Sequence, residues 1–307
     1  MLTVIFATHN GERTLPTVLD AYQNLKVPSG GWKLVVVDNA STDRTATILD
    51  RFESQLPMTR LHVGEPGKNR ALNAGIEFRE GDLVVLTDDD AVPAANWLSA
   101  MRRAVDENGD YDVFGGAIVP RWERQPEAWL LSWVPHDITY SLTEKGRASG
   151  PVSPGLVFGP NMAVRTSLFD AGNRFDVLIG PKAGGTYAMG SETEFAFRME
   201  RLGHKTWFAA DAHVEHMIRA FQMEKDWILS RAVRYGRSMY RRDLQRGHPA
   251  TPAWLGMPRW KVRQLIERAG SLALSKVVGS AEQVFRDALQ LRYDWGYLCE
   301  ARFASRK

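Results

Sequence analysis

Three consecutive aspartates, Asp88, Asp89 and Asp90, stand one residue, Thr87, after the apolar run Leu83-Val84-Val85-Leu86. Carboxylates at the end of a buried segment are costly unless something compensates their charge. A divalent cation with oxygen ligands is one compensator, and such an ion usually brings phosphate oxygens with it. An acidic turn ahead of a helix, stabilised by the helix dipole, is the other reading of the same residues. Polar groups close two further apolar runs. Thr8-His9-Asn10 follows Thr3–Ala7, and Asp38-Asn39-Ala40-Ser41-Thr42-Asp43 follows Lys33–Val37. In open α/β sheets, ligands bind beyond the carboxyl ends of the strands, where all three sets would fall.

The elements that must position these residues follow from hydrophobic period. Thr3–Ala7, Lys33–Val37, Thr59–Val63, Leu83–Leu86 and Val113–Val119 are short, β-branched runs of strand type. Between them, Leu15, Val18, Leu19, Tyr22 and Leu25 share one helical face, as do Ile48, Leu49 and Phe52. Helices are also expected over 68–78, 94–107 and 192–202, with a strand over 205–209. Ser41 or Thr42 can cap the second helix. This β-α alternation predicts an α/β fold whose mostly parallel central sheet carries helices on both faces. From Arg121 to Pro160 the period is lost, and after His216 the chain turns helical and basic.

Composition removes other classes. Of 307 residues, 44% are hydrophobic and 24% charged, which excludes a disordered or fibrous chain. One cysteine, Cys299, forms no internal disulfide, and no Cys/His spacing fits a zinc finger. No apolar stretch reaches the roughly 20 residues of a membrane span. The opening Met1–Ala7 lacks the basic start of a signal peptide. Gly64-Glu65-Pro66-Gly67-Lys68 does not match a Walker A loop, no G-x-G-x-x-G follows a strand, and no G-x-S-x-G elbow is present. A nucleotide site must be of another type.

The segments Val4–Asn10, Val36–Asp43, Gly67–Gly75 and Thr87–Asp90 occur in order. So do Gly159–Ala163, Gly190–Arg198 and Ala212–His216. Together they resemble family 2 glycosyltransferases with the GT-A fold, over about residues 2–216. The resemblance implies a catalytic domain over 1–216. Its nucleotide-binding part would be about 1–119 and its acceptor part about 120–216, with a helical extension over 217–307. It implies an inverting enzyme using a nucleotide-diphospho-sugar, here a UDP-sugar, and Mg²⁺ or Mn²⁺. The acceptor would be a glycan or lipid-linked molecule in surface polysaccharide or glycolipid synthesis. A catalytically silent nucleotide- or glycan-binding subunit is the rival. The intact aspartates and Glu192 argue against it, since a binder needs no base.

Residue by residue, the resemblance assigns Thr8, His9 and Asn10 to the base and ribose, and Asp38 to the N3–H of a uracil. Lys68 and Arg70 would hold the nucleotide and pyrophosphate, and Asp88 and Asp89 would face the ribose or donor sugar. Asp90 and His216 would be metal ligands. Where the family carries a Glu-Asp pair ahead of a helix, this chain has Ser191 and Glu192. Glu192 is the expected general base. Glu194 is the alternative, or a partner of Arg198 at i+4. Asn161, Glu194 and Trp122 would lie on the acceptor side. The glycine-rich run 180–190 is a candidate lid.

Charge is unevenly spread. Residues 217–307 hold 18 Lys and Arg against 8 Asp and Glu. Basic residues recur among large apolar ones, as at Trp227-Ile228-Leu229 with Arg231 and Arg234, and between Trp254 and Arg263. Such helices suit an anionic membrane surface, with tryptophan at headgroup level. Packing on the catalytic core or a homodimer is the bland alternative. The expected setting is cytoplasmic, at the inner face of the membrane, with no nucleic-acid partner.

Overall fold

The computed structural model describes residues 1–181, 187–246, 253–254 and 257–304. Residues 182–186 of the expected lid lie outside them. The chain divides into two compact units. The first comprises Met1–Arg121, Ser141–Gly185 and Ser191–Met217, and the second Trp122–Tyr140, Thr186–Gly190 and Ile218–Lys307. Segment 122–140, where the sequence period was lost, thus goes with the tail rather than with the sheet.

In the first unit, β1 (Leu2–Thr8), β2 (Trp32–Asp38), β3 (Met58–His62) and β4 (Leu83–Leu86) lie side by side in the order β3-β2-β1-β4. All three pairings among them are parallel. Helices α1 (Leu15–Gln23), α2 (Thr45–Phe52) and α3 (Lys68–Ile76) make the crossovers. The sheet continues through β5 (Ala91–Pro93), β6 (Val113–Trp122), β7 (Gly150–Pro151), β8 (Met162–Arg165) and β9 (Thr206–Ile218). Here the pairings turn antiparallel: β4 with β8, β8 with β6, and β9 with β5 and β7. The expected helix over 94–107 is α4 (Trp97–Glu107), preceded by the short edge strand β5 that ends in Pro93. Proline at an edge strand costs no ladder bond.

The core is aliphatic where α3 meets the sheet, with Ile5, Val35, Val37, Ala71, Leu72 and Ile76 all buried. Gly75 permits that approach, since a methyl there would stand 2.7 Å from Ile5 Cγ2. Beyond it, α7 (Thr166–Asp170) and α8 (Ser191–Arg201) pack Phe169, Phe175 and Phe195 into one aromatic cluster, with Phe175–Phe195 centroids 4.8 Å apart.

The second unit is helical: α5 (Ala128–Trp133), α6 (His136–Tyr140), α9 (Lys225–Gln245), α10 (Arg259–Val278) and α11 (Ala281–Ala304). Trp129, Trp133 and Phe285 form a ring cluster, and Tyr140 stacks on Trp227 at 5.9 Å. Helices α9 and α11 meet backbone to backbone. A methyl at Gly236 would lie 2.0 Å from the Tyr293 carbonyl, and one at Gly296 2.0 Å from that of Val233. Several tail cations turn inward. Arg237 and Arg241 both bind the buried Glu300, at 2.8 and 2.7 Å, and Lys261 pairs with the buried Asp294. Trp227 and Ile228, two of the side chains offered for a membrane, are likewise structural: Ile228 is buried and Arg231 lies over the Trp227 ring. Among the described residues, no helix is long and apolar enough to cross a membrane.

Candidate active site

Parallel pairing of β1 with β2 sets Thr8 abreast of Asp38 at the carboxyl end of the sheet. The chain then leaves each strand through a tight polar turn. Asn10 has φ 57°, a left-handed conformation that asparagine tolerates. Its N–H donates to Ser41 Oγ at 3.0 Å, and its Oδ1 accepts the Thr42 N–H at 2.8 Å. The His9 ring donates from Nδ1 to the Asn39 carbonyl at 2.7 Å. Asp38 is buried and accepts the Ser41 N–H at 3.2 Å. Its other oxygen has Arg60 Nη2 at 3.9 Å and His62 Nδ1 at 3.7 Å.

Asn39 fixes the next loop. Its amide donates to the Val63 and Glu65 carbonyls at 3.0 and 2.8 Å, and its Oδ1 accepts the Gly67 N–H at 2.7 Å. That places the start of α3, and with it Lys68. The Lys68 ammonium lies 2.5 Å from Asp88 Oδ1 and 2.8 Å from Glu192 Oε1. Ser191 donates its hydroxyl to Glu192 Oε2 at 2.9 Å. Both oxygens of the expected base are thereby held. Beneath them Gly159 leaves room, for a methyl there would stand 2.7 Å from the Glu192 carboxyl carbon.

Electrostatics separate the two carboxylates. Burial pushes Glu192 up, but Lys68 and the Ser191 hydroxyl overcome it and hold the group below its ordinary value. Asp88 goes the other way: burial raises it, Glu192 and Asp90 add repulsion, and Lys68 only partly offsets them. Lys68 is held firmly protonated, because two carboxylates outweigh its own desolvation. Among the described residues, Lys68 faces the carboxyls of Asp88 and Glu192, with Asp90 acting on Asp88, a setting that favours positive charge.

Asp90 and His216 come together through strand pairing. β5 sets Ala91 opposite His216, and the Met217 N–H donates to the Asp90 carbonyl at 2.8 Å. His216 Nε2 then stands 3.4 Å from Asp90 Oδ1. Asp89 turns back instead, accepting the Thr8 hydroxyl at 2.5 Å. Among the described residues, no group of three His, Cys, Asp or Glu side chains is arranged to hold a metal by itself.

Three expected residues do other work, and Glu194 takes the Arg198 pairing that was one of its two expected readings. Arg70 pairs with Glu65 at the surface. Glu194 meets Arg198 at i+4, Oε1 to Nε 3.2 Å. Trp122 packs edge-on against Tyr140 in the second unit, with centroids 5.5 Å apart. Asn161 is fully buried. Its amide donates to the Ala117 and Ala212 carbonyls at 2.9 and 2.8 Å, and its Oδ1 accepts the Trp97 indole N–H at 2.9 Å. It joins three elements rather than facing an acceptor. Asn161→Leu strands these partners without hydrogen bonds, each costing about 1–3 kcal/mol. Urea unfolding should show a loss of about 3 kcal/mol or more, and an unchanged midpoint would refute the hub.

Sequence reasoning missed Asn39, Gly159 and the Arg60–His62 pair. The pair had a signal, since residues two apart on a strand share a face. Gly159 had none, because its role depends on a side chain from a distant helix.

Comparisons with known proteins identify the family and the fold. The model of the family described as Glycosyl transferase family 2 matches residues 3–172. The chain belongs to that family, and it is a glycosyltransferase. A glucosyl-dolichyl phosphate glucuronosyltransferase of Haloferax volcanii is 24% identical over 258 residues, which is 79% of this chain and 77% of that one. The probable glycosyltransferase YdaM of Bacillus subtilis is 24% identical over 217 residues, 67% of this chain and 48% of its own. Among solved structures, the mannosyltransferase PcManGT from Pyrobaculum calidifontis, in complex with GDP-Man and Mn²⁺, superposes with a TM-score of 0.63. Identity is 17%, over 100% of this chain and 88% of that one. S. aureus TarS 1–349 in complex with UDP-GlcNAc gives 0.55 at 15% identity, covering 99% and 91%. These likenesses establish the GT-A fold.

Proposed function

We propose that this glycosyltransferase is an inverting, metal-assisted enzyme that moves a sugar from a UDP-sugar to a lipid-linked or glycan acceptor. The observation that carries the reading is the buried Glu192 carboxylate, gripped at both oxygens beside Asp88 at the carboxyl ends of the strands. Inversion needs one base on the face opposite the leaving group, and Glu192 takes the acceptor hydroxyl's proton. Lys68 holds the diphosphate as well as the base. When a donor's phosphates draw the ammonium away, Glu192 loses what holds it down and becomes a stronger base.

The residues present fit a divalent cation. Asp90 and His216 offer one carboxylate oxygen and one imidazole nitrogen, and the acidic excess around Asp88 favours a cation. Mg²⁺ or Mn²⁺ would suit that pair once phosphate oxygens complete its shell. When bound, the ion neutralises charge on the departing diphosphate. Asp38 receives the uracil N3–H, Thr8, His9 and Asn10 border the ribose, and Asp89 braces Thr8. The dolichyl-linked substrate named for the Haloferax relative supports a lipid-linked acceptor, met at the inner face of a membrane.

Calorimetry tests the donor half. UDP-sugars should bind with Mn²⁺ and at least tenfold more weakly in EDTA, and Asp90→Asn should lose the difference while keeping its melting temperature. Equal affinity in both buffers would remove the metal. Tighter binding of GDP-sugars would remove the uracil contact to Asp38.

A further inference from the structure

Among the described residues, the most exposed large apolar side chains of the second unit lie on one helix. Ile266, Leu274, Val277 and Val278 of α10 are 67%, 64%, 81% and 76% exposed. Their spacing, with Ala269 and Ala273 between them, puts all six on one side of the helix over three turns. The opposite side is in use: Lys261 pairs with Asp294, and Ser275 is buried. The outward side is therefore surplus to the packing of the α10–α11 hairpin. Side chains of this size left in water mark a surface that another phase or molecule covers.

Its surroundings indicate which. Along the same helix stand Arg259, Arg263 and Lys276, and Arg286 follows on α11, all exposed. Nearby acids are Glu267, which stands on the same outward side and pairs with Arg263, and Glu282, which pairs with Arg286. The net positive charge at the borders therefore comes from Arg259 and Lys276. Arg259 and Arg263 share the outward side but sit one or more turns before the apolar residues. Lys276 flanks those residues on the other edge. An apolar strip bordered by cations matches an anionic bilayer interface, acyl chains under the strip and phosphates at the borders. A second copy of the chain is a poorer fit. Four large side chains fall well short of the roughly 800 Å² a side that a stable protein interface covers.

We infer that the outward side of α10, from Ile266 to Val278, seats the protein on an anionic lipid surface. The contact lies in the helical unit and needs neither donor nor metal. It deepens the lipid-linked reading above, and it places the bilayer contact on α10 instead of at Trp227, which is committed to the fold.

The test uses the full chain without substrates. Wild type should co-sediment with phosphatidylglycerol/phosphatidylcholine vesicles and not with phosphatidylcholine alone. The double variant Val277→Asp, Val278→Asp should bind at least tenfold more weakly, with unchanged circular dichroism and melting temperature. A Val277→Cys variant in a Cys299→Ser background, labelled with an environment-sensitive dye, should shift to the blue on vesicle addition. Unaltered vesicle binding by the double variant overturns the inference. So does a wild-type dimer that the double variant breaks while neither protein binds lipid. Since no turnover is measured, Glu192→Gln should bind vesicles as wild type does, and the two readings can fail separately.

Discussion

Glu192→Gln should reduce transfer by about 10²–10⁴ while leaving donor affinity within a few-fold, because a general base contributes that much and the amide keeps the shape. The amide oxygen can still accept from Lys68, and Asp88 still holds the ammonium at 2.5 Å, so the donor side stays assembled. Lys68 and Ser191 hold the Glu192 carboxyl below its ordinary value against the opposing effect of burial. The acid limb of kcat/KM in the free enzyme is therefore expected below the ordinary carboxylate range. The same depression bears on stability. The ionised group stabilises the fold above its unfolded pKa of about 4.3, and that contribution fades as pH falls through the lower folded value. Acid unfolding of Glu192→Gln should accordingly be shallower over that window. Normal turnover in Glu192→Gln with loss in Glu194→Gln would move the base two residues along α8, to the other carboxylate of its first turn.

Gly159→Ala makes a different cut at the same atom. The added methyl would meet Glu192 Cδ and Oε1, both at 2.7 Å. The main chain at 159 is not left-handed, so alanine fits the backbone, and the carboxylate at the end of a flexible side chain is what yields. A base displaced by about 1 Å can lose on the order of 10² in rate. We expect a fall of that size in kcat with donor affinity near wild type, and a stability loss of about 1–3 kcal/mol as the Lys68 and Ser191 contacts loosen. Full activity would show that Glu192 works from another position than the one it occupies here.

Much of the parallel half of the sheet was legible because its signals are local. Three strands end in polar runs within a few residues, and parallel pairing brings such ends together by topology alone. Hence Thr8, Asp38 and the aspartates could be placed from sequence. What stayed hidden depends on long-range pairing. Lys68 meets Glu192 only after α3 and α8 have both docked on the sheet. Asn161 looks like any polar loop residue until the Ala117 and Ala212 carbonyls and the Trp97 indole close on it. The segment 122–140 has no period because Trp129 and Trp133 pack on Phe285 of α11, far along the chain.

The glycine contacts between α9 and α11 have a mechanical consequence. Helices separated by side chains can slide, as one set of knobs rides over another. Here Gly236 and Gly296 leave only hydrogen atoms between the two backbones. A shift of one helical turn, about 5.4 Å, would drive Ala232 or Tyr240 into the place of Gly236 and pull Arg237 and Arg241 off Glu300. No neighbouring register is open. The pair behaves as a single beam, so a load taken up at one of its ends is delivered to the other without creep.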